Sequence, residues 1–368
     1  MNTLLEMALL CAETKIKTAW GGYPHGPLIV YLCPTELCNF RCKMCTIGRP
    51  GTIDRTEELE TGRILSLLAE LQKCGTKILA LWGGEPLTTT GLIPIIETAR
   101  SLGIHTYLTT NGYLLDAEWR RMLMAAGVDT ISVSLDHTAA EGHDNLRGKP
   151  GALDRIVANL RASTYESKGR MNIGINMLVN KDNIDEILKM ARLANEIGLK
   201  WLKFNPALPG YPFNDMRFDD PDMRFSPDDV ARFGQAVEEA RKLLLQSGMY
   251  TNSRPFLQGM VKHFAGQNLS KGCRAGFLSA NISSRGDVTI CTRDNRILGN
   301  IKNMPFLEVW NSAPFQNARR HPNREACRHC WQSCYAEASY RLNLSFHIKN
   351  LGTSLQELGF TNLAQKKK

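Results

Sequence analysis

The sequence predicts an α/β protein, a partial (β/α)6 barrel of the TIM type followed by a small, cysteine-rich, metal-dependent α+β module. Three observations predict it. Between residues 27 and 207, short apolar runs alternate with amphipathic segments six times, the pattern of parallel strands joined by right-handed crossover helices. The alternation stops near residue 210, where a polar, proline-containing connection begins. From 266 to 340 come short strands, glycine turns and five of the eleven cysteines, and cysteines clustered in a reducing compartment favour metal binding over disulfides.

The elements follow in order. "PLIVYLCPTE" (27–36) is a buried strand and leads into a cysteine loop. "RTEELETGRILSLLAELQKCG" (55–75) has helical periodicity and ends on a glycine stop. "KILALWGGEP" (77–86) is a strand breaking into a Gly-Gly turn; "IPIIETARSLG" (93–103) is a helix and "IHTYLTTNG" (104–112) a strand. "AEWRRMLMAAG" (117–127) and "DTISVSLD" (129–136) repeat the pair, as do "GALDRIVANLRAS" (151–163) and "NIGINMLVN" (172–180). Helix "NIDEILKMARLANEIG" (183–198) then precedes the sixth strand, "LKWLKFNPALPG" (199–210). Helix "VARFGQAVEEARKLLLQSG" (230–248) follows the connection. The expected units are an N-terminal extension (1–26), the barrel core (27–210), a helical connection (211–265), the cysteine-rich module (266–340) and a C-terminal helix with a basic tail (341–368).

Composition narrows the function classes. The chain of 368 residues is 43% hydrophobic and 22% charged, and no stretch is long enough to span a bilayer. Glu6 and Glu13 and the lack of a basic leader argue against a signal peptide, so a cytoplasmic location is expected. The formal net charge of +9 reads as a solvated surface with a basic tail, Lys366 to Lys368. No Lys/Arg run is interleaved with aromatics, so nucleic acid is not an expected partner.

Chemistry in such barrels sits at the C-terminal ends of the strands. That rule gathers the cysteine loop, Gly83–Pro86, Thr110–Gly112 and Ser134–Asp136 onto one rim. In the loop, "CNFRCKMC" spaces Cys38, Cys42 and Cys45 by three and two residues. A structural zinc takes four ligands, whereas three thiolates around a cubane cluster leave one iron open for a substrate or cofactor.

The loop resembles the C-x3-C-x2-C signature of the radical S-adenosylmethionine (radical SAM) enzymes, in the expected place after the first strand. The resemblance implies a 4Fe–4S cluster on Cys38, Cys42 and Cys45 whose open iron is chelated by S-adenosylmethionine. Reductive cleavage then yields a 5′-deoxyadenosyl radical that takes hydrogen from an unactivated C–H of the substrate, the electron coming from a flavodoxin- or ferredoxin-type donor. Met44 stands where the family often has an aromatic residue against the adenine. "WGGEP" resembles the family's Gly-Gly-Glu-Pro segment, so Gly83 and Gly84 are expected to let backbone approach the cofactor and Glu85 to pair with its ammonium. Ser134 and Arg147, in "SVSLDHTAAEGHDNLRG", look like the pair that holds its carboxylate, and Asn111 in "TTNG" a contact at the third strand. His137 and His143 lie nearby and read as structural.

Cys273, Gly286 and Cys291, then "CRHCWQSC" with Cys327, Cys330 and Cys334, resemble the SPASM or shorter twitch module that holds auxiliary 4Fe–4S clusters. Five thiolates fill one cluster, not two. The expected ligands are Cys273, Cys291, Cys327 and Cys330, with Cys334 spare or exchanging roles with Cys327; a structural zinc is the alternative, since C-x2-C pairs are common zinc ligands. Cys11, Cys33 and Cys74 stand singly and read as structural, although Cys33 could point into the barrel as a hydrogen donor.

The expected function is oxidation, epimerisation or bond formation at an unactivated carbon. The short segment before Leu28 leaves little room for a precursor-binding domain, which favours a carbohydrate or small metabolite over a peptide, with peptide maturation as the alternative. A non-catalytic iron–sulfur electron carrier and an RNA-modifying protein are the rival classes. A carrier has no use for the cradle formed by Glu85, Ser134 and Arg147.

Overall fold

The computed structural model describes residues 25–47, 55–208, 225–269, 273–328, 330–337 and 339. Cys11, the N-terminal extension up to residue 24, residues 211–224 of the connection and the basic tail lie outside them.

Six parallel strands form in sequence: β1 (Ile29–Leu32), β2 (Ile78–Leu81), β3 (His105–Thr110), β4 (Thr130–Ser134), β5 (Asn172–Val179) and β6 (Trp201–Pro206). Each pairs with the next, as the alternation predicts. The intervening helices are α1 (Thr61–Lys73), α2 (Leu92–Ser101), α3 (Ala117–Ala126), α4 (Ala140–Arg147), α5 (Ala152–Ser167) and α6 (Glu186–Ile197). Their apolar spacing decides which face is buried. In α6, Ile187, Met190, Ala191, Ala194 and Ile197 recur at helical intervals and are all buried. Asp116 caps α3 by accepting the Trp119 amide at 3.1 Å, and Gly127 ends it in the left-handed conformation, φ 81°.

Side-chain alternation splits the sheet. Val30, Leu32, Leu79, Leu81, Leu108, Ile131, Val133, Ile175, Met177, Leu202 and Phe204 are wholly buried in the core. The opposite face carries Tyr31, Tyr107, Thr109, Ser132, Ser134, Asn176, Lys203 and Asn205. This second face is concave. Three strand spacings separate β3 from β6, about 14 Å in a flat sheet, yet the rings of Tyr107 and Trp201 stack at 6.1 Å. Gly174 permits that floor, because a Cβ there would lie 2.1 Å from the Trp201 ring.

The second module is not a separate sheet. β7 (Ser279–Ile282) pairs in parallel with β1, and β8 (Asp287–Thr289) and β9 (Gly299–Asn300) extend it antiparallel, giving a nine-stranded order β6-β5-β4-β3-β2-β1-β7-β8-β9. Helices α7 (Pro227–Gln246) and α8 (Arg254–Phe264) precede it, and α9 (Phe306–Asn311), α10 (Ala313–Arg320) and α11 (Arg324–Arg328) follow its strands. α7 begins in a capping box, Ser226 accepting the Asp229 amide at 3.1 Å with Pro227 at the first helical position. Among the described residues, no helix is long and apolar enough to cross a membrane.

Candidate functional site

The cysteine loop after β1 is held from below and from both sides. Phe40, its one aromatic residue, is buried and meets the Tyr113 ring edge-on at 5.7 Å. The Arg41 guanidinium donates back to the carbonyls of Cys38 (2.8 Å) and Phe40 (2.7 Å). The Lys43 amide donates to Leu146 at 2.9 Å, tying the loop to α4. Gly148 ends α4 at φ 62°, and a Cβ there would stand 2.2 Å from the Arg41 carbonyl oxygen. These contacts fix the three thiols at the rim.

Burial pushes the Cys38 thiol up to about 12; the Phe40 amide opposes this, while negative charge on Glu85, Cys42 and Cys45 adds to it. The three cysteines therefore share one electrostatic environment, and thiolate formation there is linked to binding of a cation or cluster. Arg147 stands over the group. Its Nε and Nη2 reach Asp136 at 2.7 and 2.6 Å, and it also hydrogen-bonds the Cys42 side chain. Asp136 is fully buried and is set by the Leu178 amide at 2.8 Å. His143 accepts the Asp136 amide through Nδ1 at 3.4 Å. Burial, reinforced by the Arg147 charge, lowers His143 to about 4, so it is neutral at physiological pH.

The Gly-Gly-Glu-Pro segment packs against the cysteine loop. The Gly84 amide donates to Thr35 at 3.0 Å and the Glu85 amide to Leu37 at 2.7 Å. A Cβ on Gly84 would lie 2.2 Å from the Leu37 carbonyl oxygen, and one on Gly83 (φ 129°) 2.4 Å from the Cys33 sulfur. The close approach that these glycines permit is thus to residues 33–37 of the chain itself. The Glu85 carboxylate is fully buried and accepts from the Thr110 hydroxyl (2.7 Å) and from the amides of Asn111 (2.7 Å) and Leu87 (3.0 Å). Asn111 in turn donates to Asn39 in the loop at 2.7 Å. Ser134 is half-buried at the end of β4, and Met44 is buried within the loop. Cys33 is buried with its thiol on the Thr35 carbonyl at 3.3 Å, tucked beside Gly83. Sequence reasoning passed over Asn39 and Phe40 as site residues, and it placed Asp136 on the rim without a role.

The second cysteine group lines one cavity of about 840 Å³. Cys273, Cys291, Cys327 and Cys330 all face it, together with Arg293, Asp294, Trp331 and Tyr335. Burial raises each of the four thiols, and each except Cys330 is raised further by negative charge on others of the group. Cys334 does not line this cavity. It lies in the π-helical turn Ser333–Glu337, its carbonyl accepting the Tyr31 hydroxyl at 3.0 Å on the concave face of the sheet. Among the described residues, no three His, Cys, Asp or Glu side chains converge closely enough to hold one metal ion. A cubane places its thiolates on separate irons and does not need that convergence. Four thiols on one cavity and three on one loop fit such clusters.

Comparison with known proteins agrees with this geometry. Residues 32–194 match the model of the radical SAM superfamily. Residues 273–331 match the SPASM iron–sulfur cluster-binding domain, a range that contains Cys273, Cys291, Cys327 and Cys330 and ends before Cys334. The chain is 30% identical to an AdoMet-dependent heme synthase from Methanosarcina barkeri, over 85% of this chain and 93% of that one. It is 25% identical to a PqqA peptide cyclase from Gluconobacter oxydans, over 86% and 87%. Streptococcus suis SuiB, solved bound to its precursor peptide SuiA, shares the fold with a TM-score of 0.66 at 16% identity, over 89% of this chain and 73% of that one. The chain therefore belongs to the radical SAM superfamily, as an enzyme with a SPASM domain that works with 4Fe–4S clusters and S-adenosylmethionine.

Proposed function

We propose that this radical SAM enzyme modifies a peptide, with Cys38, Cys42 and Cys45 as ligands of the catalytic cluster and Cys273, Cys291, Cys327 and Cys330 as ligands of one auxiliary cluster. One observation carries the reading. The segment Trp331–Glu337 borders the four-cysteine cavity through Trp331, Tyr335 and Ala336, and it touches the concave face of the barrel through Ser333 and Cys334. A substrate in the barrel would thus lie between the two sets of thiols, within reach of an electron acceptor.

A cluster held by Cys38, Cys42 and Cys45, with S-adenosylmethionine, would supply hydrogen-abstracting radical chemistry, given one electron from a flavodoxin- or ferredoxin-type donor. The chain's own residues bind and orient. Arg147, fixed by Asp136, would turn N–H groups not used on Asp136 and Cys42 to the cofactor carboxylate beside Ser134. Met44, Gly83 and Gly84 shape the pocket for the rest of the cofactor, and Glu85 acts by holding Asn111 against Asn39 as well as by its charge. Apart from Lys203, the concave face carries neutral polar groups besides those that hold Trp331–Glu337, namely Tyr107, Thr109, Ser132 and Ser134, which suit a chain of amides. The peptide named in the Gluconobacter relative and in the SuiB structure supports the same substrate class. The carbohydrate expected from sequence has no counterpart in these relatives. With an auxiliary cluster beside the chamber, oxidation or bond formation is the favoured outcome over epimerisation.

A second reading, a heme-forming reaction on a tetrapyrrole, is favoured by the Methanosarcina relative, which the chain covers over 93% of its length. The test is anaerobic loading with iron and sulfide, followed by reduction with S-adenosylmethionine present. The wild-type chain should release 5′-deoxyadenosine and Cys42→Ala should not. Deuterated peptides, porphyrins and sugars are then offered in parallel. Label entering deoxyadenosine from a peptide supports the first reading; label only from a porphyrin selects the second, and label only from a sugar overturns both.

A further inference from the structure

The curved sheet ends at β6 on one side and runs past β1 into β7 on the other, and Trp331–Glu337 crosses its concave face from β6 to β1. On the β6 side the Ser333 amide donates to Asn205 Oδ1 at 3.2 Å. On the β1 side Tyr31 donates to the Cys334 carbonyl at 3.0 Å, and its ring meets Tyr335 edge-on at 5.5 Å. Both ends of the segment are fastened to α8. The Trp331 indole donates to the Phe256 carbonyl at 3.0 Å and stacks on the Phe256 ring at 5.8 Å, over Gly259, where a Cβ would stand 1.9 Å from the indole. The Glu337 carboxylate accepts the Ser253 amide at 3.0 Å, at the positive end of α8.

The other face of the segment belongs to the four-cysteine cavity. Cys327 and Cys330 immediately precede it, and the Tyr335 hydroxyl accepts the amide of Thr292, the residue after Cys291, at 2.9 Å. Cys273 and Cys291 come from the opposite wall, before β7 and after β8. A group bonded to all four would therefore staple the start of the segment to the sheet edge. Apart from one π turn, the segment has little backbone hydrogen bonding of its own, so its order depends on these outside attachments.

We propose that Trp331–Glu337 is a strap whose seating across the concave face, from β6 to β1, is set by loading of the auxiliary cluster, so that a filled cavity completes the wall of the reaction chamber. The proposal rests on the four-cysteine assignment above. It makes Tyr31, Asn205 and Phe256 positioning residues, which receive the strap without touching either cluster.

Amide hydrogen exchange on the iron- and sulfide-loaded full chain tests this, with iron content measured on the same samples. Wild type should hold about eight irons and Cys273→Ala/Cys291→Ala about four. In the double variant, amides of 331–337 should exchange about tenfold faster or more, while those of β4 remain unchanged. Tyr31→Phe should keep about eight irons and loosen the strap alone. Equal strap exchange in the eight-iron and four-iron proteins overturns the proposal, and so does acceleration of strap and β4 together, which signals general loosening. A wild-type chain holding only about four irons would instead remove the auxiliary-cluster reading itself.

Discussion

Arg147 sets two of its nitrogens, at 2.7 and 2.6 Å, on a single oxygen of Asp136, whose other oxygen accepts the Leu178 amide. The pair joins the end of β4 to the end of α4, directly beside Cys42. It is also buried: Asp136 is fully shielded and the Arg147 side chain is 13% exposed. Removing one partner strands the other charge away from water. We expect Asp136→Asn to lower unfolding free energy by about 3 kcal/mol and to cut deoxyadenosine release by at least about tenfold, by loosening Arg147. Arg147→Lys keeps the charge but loses the planar fork, so it should fold nearly as wild type and still lose release. Urea unfolding alongside chromatography of deoxyadenosine separates the two, and a fully active Asp136→Asn would dismiss the positioning role.

Glu85 predicts a pH dependence. Burial raises its carboxyl from 4.5 to about 7, although hydrogen bonds from the Asn111 amide, the Thr110 hydroxyl and the Leu87 amide pull the other way. The folded value lies above the unfolded one, so this group's contribution to stability is complete below about pH 4.5. It is lost as pH rises toward and through about 7. The swing from this residue is on the order of 3 kcal/mol. Wild type should therefore lose stability relative to Glu85→Gln between pH 5.5 and pH 8, measured as the difference in urea midpoints. A difference that stays flat across that range would show that Glu85 keeps an ordinary acidity.

The barrel was legible because its signals are local. Helical spacing of Ile187, Met190, Ala194 and Ile197, and a glycine stop such as Gly127, need no knowledge of the rest of the chain. Helix α4 lacked such a signal. In Ala140–Arg147 only His143 is buried, so no apolar period marks it. The insertion of β7 beside β1 was equally hidden, since a four-residue strand does not encode its partner. At the site, cysteine spacing revealed the loop but not its supports. Asn39 is fastened by Asn111, 72 positions away, and Asp136 by Leu178, 42 positions away. The choice among Cys327, Cys330 and Cys334 could not be read from spacing either, because the π turn after Gln332 carries Cys334 toward Tyr31.

Gly174 is a test of the barrel floor. It pairs with Trp201 across β5 and β6, and an added Cβ would fall 2.1 Å from the indole and 2.5 Å from the Trp201 carbonyl oxygen. The indole stacks on Tyr107 and the Lys203 ammonium lies 5.2 Å from its ring centroid, so it has little freedom to retreat. Gly174→Ala should destabilise the chain by about 1–3 kcal/mol through overpacking, seen as a lower melting temperature with unchanged iron content. A neutral substitution would mean that the Trp201 ring can leave the floor at no cost.

The two C-terminal thiols four residues apart should behave oppositely. Cys330 lines the cavity with Cys273, Cys291 and Cys327, and its charge is among those that raise each of the other three. Cys334 is absent from that lining and instead sits by Tyr31 and Lys203, with burial raising its thiol and the lysine charge opposing the rise. A serine oxygen is a harder ligand than a thiolate and suits iron–sulfur coordination poorly. Cys330→Ser should accordingly lose about four irons per chain, together with the matching absorption near the visible charge-transfer bands. Cys334→Ser should keep both clusters and the wild-type rate of deoxyadenosine release in the absence of substrate. If the iron loss instead follows Cys334, the π turn must rotate to bring its sulfur into the cavity. That rotation would pull the Cys334 carbonyl off Tyr31, so a retained Tyr31 contact and a Cys334-dependent cluster cannot both be found.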